Sequence, residues 1–320
     1  MTVALCALSH SPLMGRNDPD ASVLNEVNTE LAAARSFVED FNPEVVVIFA
    51  PDHYNGVFYD LLPPFCIGRA AVSVGDYGTQ AGPLHVDRDV AHTVAEHVLN
   101  AGIDTALSER MHVDHGFAQP LELLFGSITA VPTVPIFINS VSTPLGPVQR
   151  IRLLGEAVGR AIDGLDKRVL LLGSGGLSHD PPVPQFDTTP EPVRQRLIDG
   201  RGITADERAA RENRVITAGR DFAAGTATLQ PLNPDWDNHL LDILADGDLT
   251  PIDAWTVADF VAAAGNSSHE VRTWIAAYAA LSAFGPYRMT SRYYRPIPEW
   301  IAGFSITTAT PGPATLRTPH

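Results

Sequence analysis

The chain has 320 residues, 45% hydrophobic and 18% charged, with 25 glycines and 26 prolines scattered along it. That is the composition of a turn-rich globular protein, long enough for two domains or one large α/β unit. A formal net charge of −15 speaks against a nucleic-acid partner, whose phosphates need a Lys/Arg surface, and against an anionic membrane surface.

The apolar run Val3–Leu8 reads as a strand; it is too short, and lacks the preceding positive charge, for a signal peptide. Val23–Phe41 reads as a helix, with Leu24, Val27, Leu31, Ala34 and Val38 at helical spacing. The β-branched run Glu44–Ala50 suits a strand buried on both faces. Asp87–Ala101 is helical, Pro132–Asn139 a strand, Leu145–Leu165 a long helix and Lys167–Leu172 another buried strand. Beyond Pro190 the pattern turns helical, over Asp206–Ala224, Pro234–Ala245, Ile252–Ala264 and Glu270–Phe284. Tyr293-Tyr294 and Trp300–Thr308 return to β-forming residues, and the Pro-rich end from Thr310, above all 311–320, reads as a loose tail.

The fold expected is therefore α/β: a central mixed β-sheet flanked by helices, with a helix-rich C-terminal region on the same core. We expect one catalytic domain over 1–310, its α/β part at about 1–185 and its helix-rich part at about 190–310. No stretch approaches the roughly 18 apolar residues that span a bilayer. Cys6 and Cys66 lie in apolar segments, as reduced core thiols of a cytoplasmic protein do.

Three apolar runs end alike: Val3–Leu8 in Ser9-His10-Ser11-Pro12, Val45–Ala50 in Pro51-Asp52-His53, and Val169–Leu172, through glycines, in Leu177-Ser178-His179-Asp180. In open α/β sheets, sites form beyond the carboxyl ends of the strands. A fourth histidine, His115, precedes a helical run starting near Phe117, and Glu270 opens a helix. Taken singly, each has a plain structural reading: a turn, a surface imidazole, or a charge at a helix N-terminus. Together they have the makings of a two-His, one-carboxylate site for non-haem Fe(II), with spare histidines for proton transfer. Asp52, Asp114 and Asp180 are candidate orienters of those histidines or solvent-facing charges.

The ordered set of segments is similar to the class III extradiol dioxygenases, with the phenylpropionate branch nearest. The matching segments are ALSHSP at 7–12, PDHYNGVFYDLLPPFCIG at 51–68, DHGFAQPL at 114–121, GGLSHDPPVP at 175–184, LNPDWDN at 232–238, SSHEVRTWIAA at 267–277 and RYYRPIPEWIAGF at 292–304. The resemblance implies Fe(II) held by His10, His53 and Glu270, with His179 as proton acceptor and His115 as proton donor. It further implies that a catechol such as 2,3-dihydroxyphenylpropionate or 2,3-dihydroxycinnamate is opened by O₂ to a 2-hydroxy-6-oxo-dienedioate, in a homo-oligomer. His269, beside Glu270, is the rival ligand, disfavoured because neighbours on a helix point about 100° apart.

For the substrate side chain, Tyr54 and Phe58 are candidates for the ring pocket, with Phe65 beside them. Arg295 is the candidate for its carboxylate, with Arg272, Arg288 and Arg292 as others in the C-terminal segments. Two alternatives stand open: a non-catalytic binding protein on the same fold, and a zinc hydrolase using the same ligands.

Overall fold

The structure, a computed structural model, describes residues 2–312. In chain order the elements are β1 (Val3–Leu8), α1 (Ala21–Phe41), β2 (Val45–Ala50), β3 (Phe65–Gly68), β4 (Ala71–Val74), β5 (Ala81–Pro83), α2 (Arg88–Asn100), β6 (Ala106–Ser108), β7 (Met111–Val113), α3 (His115–Phe125), β8 (Thr133–Ile138) and α4 (Val148–Asp163). They continue with β9 (Val169–Ser174), α5 (Glu191–Ile198), α6 (Ala205–Ala223), α7 (Pro234–Asp246), α8 (Val257–Ala264), α9 (Val271–Ser282), β10 (Tyr287–Ile297) and β11 (Ala302–Pro311).

Eight strands form the central sheet in the order β10-β11-β1-β9-β2-β8-β3-β6, and β5-β4-β7 form a small second sheet. The middle of the large sheet, β1-β9-β2-β8, is parallel. Antiparallel β10 and β11 close one edge, and β3 joins β8 antiparallel on the other side. Side chains alternate as the pleat demands. Val3, Leu5, Val45 and Val47 cluster with α2, α4, α7 and α9, while Ala4, Cys6, Val46 and Ile48 cluster with α1 and α3 on the other face. Cys6 and Cys66 are buried free thiols.

α4 and α9 lie close together because of two glycines. A Cβ on Gly155 or Gly159 would drive into the carbonyls of Ala276 and Ala280. No described helix is long and apolar enough to cross a membrane.

The expected helices and main strands form within a few residues of their sequence bounds, and the mixed sheet with helices on both faces is the expected architecture. Four expectations change. Ile252–Ala264 is two pieces, a 3₁₀ turn at Thr250–Ala254 and α8; Trp255 is extended and Thr256 caps α8 in a reciprocal box with Asp259. α4 starts three residues late, after Pro147. β9 runs two residues past Leu172, because parallel pairing carries Gly173 and Ser174 opposite Ala7 and Leu8. Thr310 and Pro311 are not tail: they pair with Arg288 and Tyr287. The rest of the tail expectation, from residue 313, lies outside the described residues. The short strands β3 to β7 and helix α5 had no clear periodicity to announce them.

Candidate active site

β1, β2 and β9 are adjacent and parallel, so their carboxyl ends deliver His10, His53 and the 175–179 loop to one rim. His115 opens α3, whose N-cap Asp114 accepts from the Gly116 N–H. Glu270 ends the 3₁₀ turn Asn266–Glu270 and leads into α9. All five residues line one cavity of about 430 Å³. Gly176 keeps room for it, since a Cβ there would press on the His179 ring.

Each histidine has its Nδ1 engaged from behind. His10 Nδ1 is 2.9 Å from Ser174 Oγ, and that hydroxyl gives its own proton to the Gly116 carbonyl at 2.5 Å. Ser174 can therefore only accept from His10, so Nδ1 carries the proton and Nε2 presents a lone pair. The Gly116 carbonyl is free for this because Pro120, four residues on inside α3, has no N–H to offer it. His53 Nδ1 donates to Asp114 Oδ2 at 3.0 Å, His115 Nδ1 to Asp76 Oδ2 at 2.5 Å, and His179 Nδ1 to the Leu177 carbonyl at 2.9 Å.

The Nε2 atoms turn inward. Those of His53 and His179 lie 3.1 and 3.0 Å from Glu270 Oε1, and that of His10 lies 3.4 Å from Oε2. The rings of His53 and His115 stack, with centroids 4.5 Å apart. Nitrogens of His10, His53 and His115 fall within 4.8 Å of one another, a spacing fit for a metal ion.

Burial dominates His10 and pulls its pKa to about 3, so the ring is neutral. Burial acts the same way on His53, but Asp114 and Glu270 outweigh it and raise that imidazole well above its usual range. Burial opposes charge on His115 and His179 too; Asp76 with Asp114 raises the first, Glu270 the second. Burial of Glu270 is outweighed by His179 and His53, which hold its carboxyl well below the usual carboxylate range.

A metal cation fits this donor set. His10 aims a lone pair at an ionised carboxylate 3.4 Å away, a repulsive arrangement that a cation between them would turn into coordination. The donors are imidazole and carboxylate, with no thiolate among them.

The other candidates divide. Tyr54 lines the cavity; its backbone is left-handed, φ 57°, and its carbonyl and that of His53 accept from Arg211 on α6. Phe58 is buried instead in a separate cluster with Tyr54, Val141 and Leu197, under the Arg201 guanidinium. Phe65 belongs to the core beneath the sheet. Arg295 is absent from the cavity wall because it pairs at the surface with Glu26, at 2.8 Å. Arg292 pairs with Asp242, and Arg272 is buried, donating to the Gly146 carbonyl. His269 is buried against Phe260, off the cavity wall. His85, His92 and His239 are exposed.

Of the aspartates, Asp114 backs His53, Asp180 ties its loop to Asn266, and Asp52 accepts the N–H groups of Asn55, Gly56 and Val57. Burial, reinforced by Asp114, pushes the Asp52 carboxyl up to about 7. Sequence reasoning missed Asp76, Ser174 and the face of α6 that carries Arg208, Arg211 and Arg214 into the wall. The arginines had a signal, the spacing of three on an expected helix; Asp76 sits in a 3₁₀ turn with none.

Residues 4–305 match the family model described as the catalytic LigB subunit of aromatic ring-opening dioxygenase. A Rhodococcus protein named 2,3-dihydroxyphenylpropionate/2,3-dihydroxicinnamic acid 1,2-dioxygenase is 75% identical, over 97% of this chain and 98% of its own. Proteins of the same name from Rhodococcus jostii and Mycolicibacterium paratuberculosis are 70% and 54% identical, over 97% of this chain and 98% and 100% of theirs.

Proposed function

The chain belongs to the family of catalytic LigB subunits of aromatic ring-opening dioxygenases, and on that premise we propose that it opens the ring of 2,3-dihydroxyphenylpropionate, and of 2,3-dihydroxycinnamate, with O₂. The observation that carries the reading is the convergence of three imidazoles on one buried carboxylate, with a fourth, His115, beside two of them. The names and near-complete overlap of the similar proteins support the substrate.

In this reading His10, His53 and Glu270 hold Fe(II). Bound there, the metal supplies the electronic path between catechol and O₂ that spin conservation otherwise closes. The protein holds the two reactants side by side and times two proton transfers. His179 and His115 take those roles because their backing differs. A neutral carbonyl stands behind His179, and the carboxylate that raises it is a proposed metal ligand, whose charge is offset once a cation is bound; its Nε2 is then free to accept the catechol proton. A carboxylate, Asp76, stands directly behind His115 and favours the imidazolium, which suits the donor to the departing oxygen. The enzyme works in the cytoplasm as a homo-oligomer.

The test is anaerobic reconstitution with Fe(II), then addition of 2,3-dihydroxyphenylpropionate in aerated buffer. Stoichiometric oxygen uptake with a yellow ring-opened product supports the reading. No uptake with this or a panel of other catechols, with iron still bound, sinks it, and activity with zinc alone would favour a hydrolase.

A further inference from the structure

α6 presents Arg208, Arg211, Arg214 and Val215 to the cavity. Their partners tell these groups apart. Arg211 is spent on the carbonyls of His53 and Tyr54, and Glu212 beside it accepts the Tyr77 N–H at 2.8 Å. Arg214 is solvent-exposed. Arg208 is half-buried, and its Nη1 is shielded from solvent with no acceptor among the described residues. A charged donor left unmade in that way is costly, and native structures seldom keep one without a use. The same cavity wall includes the apolar stretch Pro181, Pro182, Val183 and Pro184 as well as the histidines and Glu270.

We propose that Arg208 is the specificity residue that takes the side-chain carboxylate of the catechol substrate. The inference builds on the ring-opening reading and names what that reading leaves open. A catechol that presents its two hydroxyls to the His10, His53 and Glu270 end extends its three-carbon side chain along the apolar wall. The carboxylate then pairs with the Arg208 guanidinium at the cavity wall, and guanidinium and carboxylate match in geometry as well as charge.

The experiment compares wild type with Arg208→Gln and Arg208→Lys, all reconstituted with Fe(II). Turnover is measured on 2,3-dihydroxyphenylpropionate and on 3-propylcatechol, and equilibrium binding with 3-phenylpropionate and propylbenzene. For Arg208→Gln, kcat/KM on the acid falls about 10–100-fold, carried by KM, as loss of a charge-assisted bond predicts. The same variant handles 3-propylcatechol as wild type does and loses affinity for 3-phenylpropionate by a similar factor, while Arg208→Lys keeps part of it. Equal losses on both catechols, or none on the acid, overturn the assignment. Wild type that opens 3-propylcatechol yet binds 3-phenylpropionate no better than propylbenzene overturns it while ring opening stands. Arg208-dependent binding of 3-phenylpropionate with no catechol opened removes the ring-opening reading and leaves the carboxylate site.

Discussion

At His10 a single proton decides what the residue can do. Ser174 fixes it on Nδ1, burial keeps the ring neutral, and Nε2 is left as a donor to a cation. His10→Ala and Glu270→Ala are therefore expected to lose iron on gel filtration. His115→Gln and His179→Gln should retain iron and lower kcat by about 100–10,000-fold, the range for a positioned acid or base. Full activity in His179→Gln would remove it from the mechanism. Asp76 gives a pH prediction. Its carboxylate raises His115, and in the proposed role of proton donor that imidazole works only below its own pKa. Asp76→Asn lowers that pKa, so the alkaline limb of kcat against pH moves to lower pH; a limb that stays put would detach Asp76 from the proton transfer.

Among the elements, β9 matters for where it ends. Its register against β1 sets Ser174 opposite Leu8, which brings the hydroxyl under the His10 ring and against the carbonyl that Pro120 leaves free. Ser174→Ala should weaken iron affinity about 10–100-fold, as loss of a group that orients a ligand does, and equilibrium dialysis of the metal reads it without turnover. The contact between α4 and α9 is governed by Gly159. Gly159→Val places a side chain against the Ala280 carbonyl, and the helices must part. The expected cost is about 1–3 kcal/mol, read as a lower denaturation midpoint; an unchanged midpoint would mean that the helices already have slack.

Across the whole molecule, the two ends of the described chain are neighbours. β11 lies antiparallel to β1, and Ser9 and Ser305 exchange hydrogen bonds at 2.9 and 3.0 Å one residue before His10. Trp300, Ile301 and Ala302 then complete the cavity wall. A chain ending at Pro286 lacks both strands and uncovers the β1 edge, so it is expected to be insoluble or to lack the cooperative melt of the full chain. A soluble, cooperatively folding product would show that the terminal strands are an addition rather than part of the unit.

The sequence alone determined the strands and helices with a clear period, because side-chain periodicity is local. It also marked the five residues His10, His53, His115, His179 and Glu270, whose motifs follow strands or open helices. Only the tertiary structure decided what stands behind each of them. Asp76 lies 39 residues from His115, and Ser174 lies 164 from His10; no local pattern ties such pairs together. The same holds for the proposed carboxylate site. The C-terminal arginines share segments with the family motifs, yet Arg295 is tied to Glu26 at the surface, and α6 brings Arg208 to the cavity instead. Long-range packing chooses which of many chemically equal arginines is left without a partner, and a sequence read along its length carries no distance across the fold.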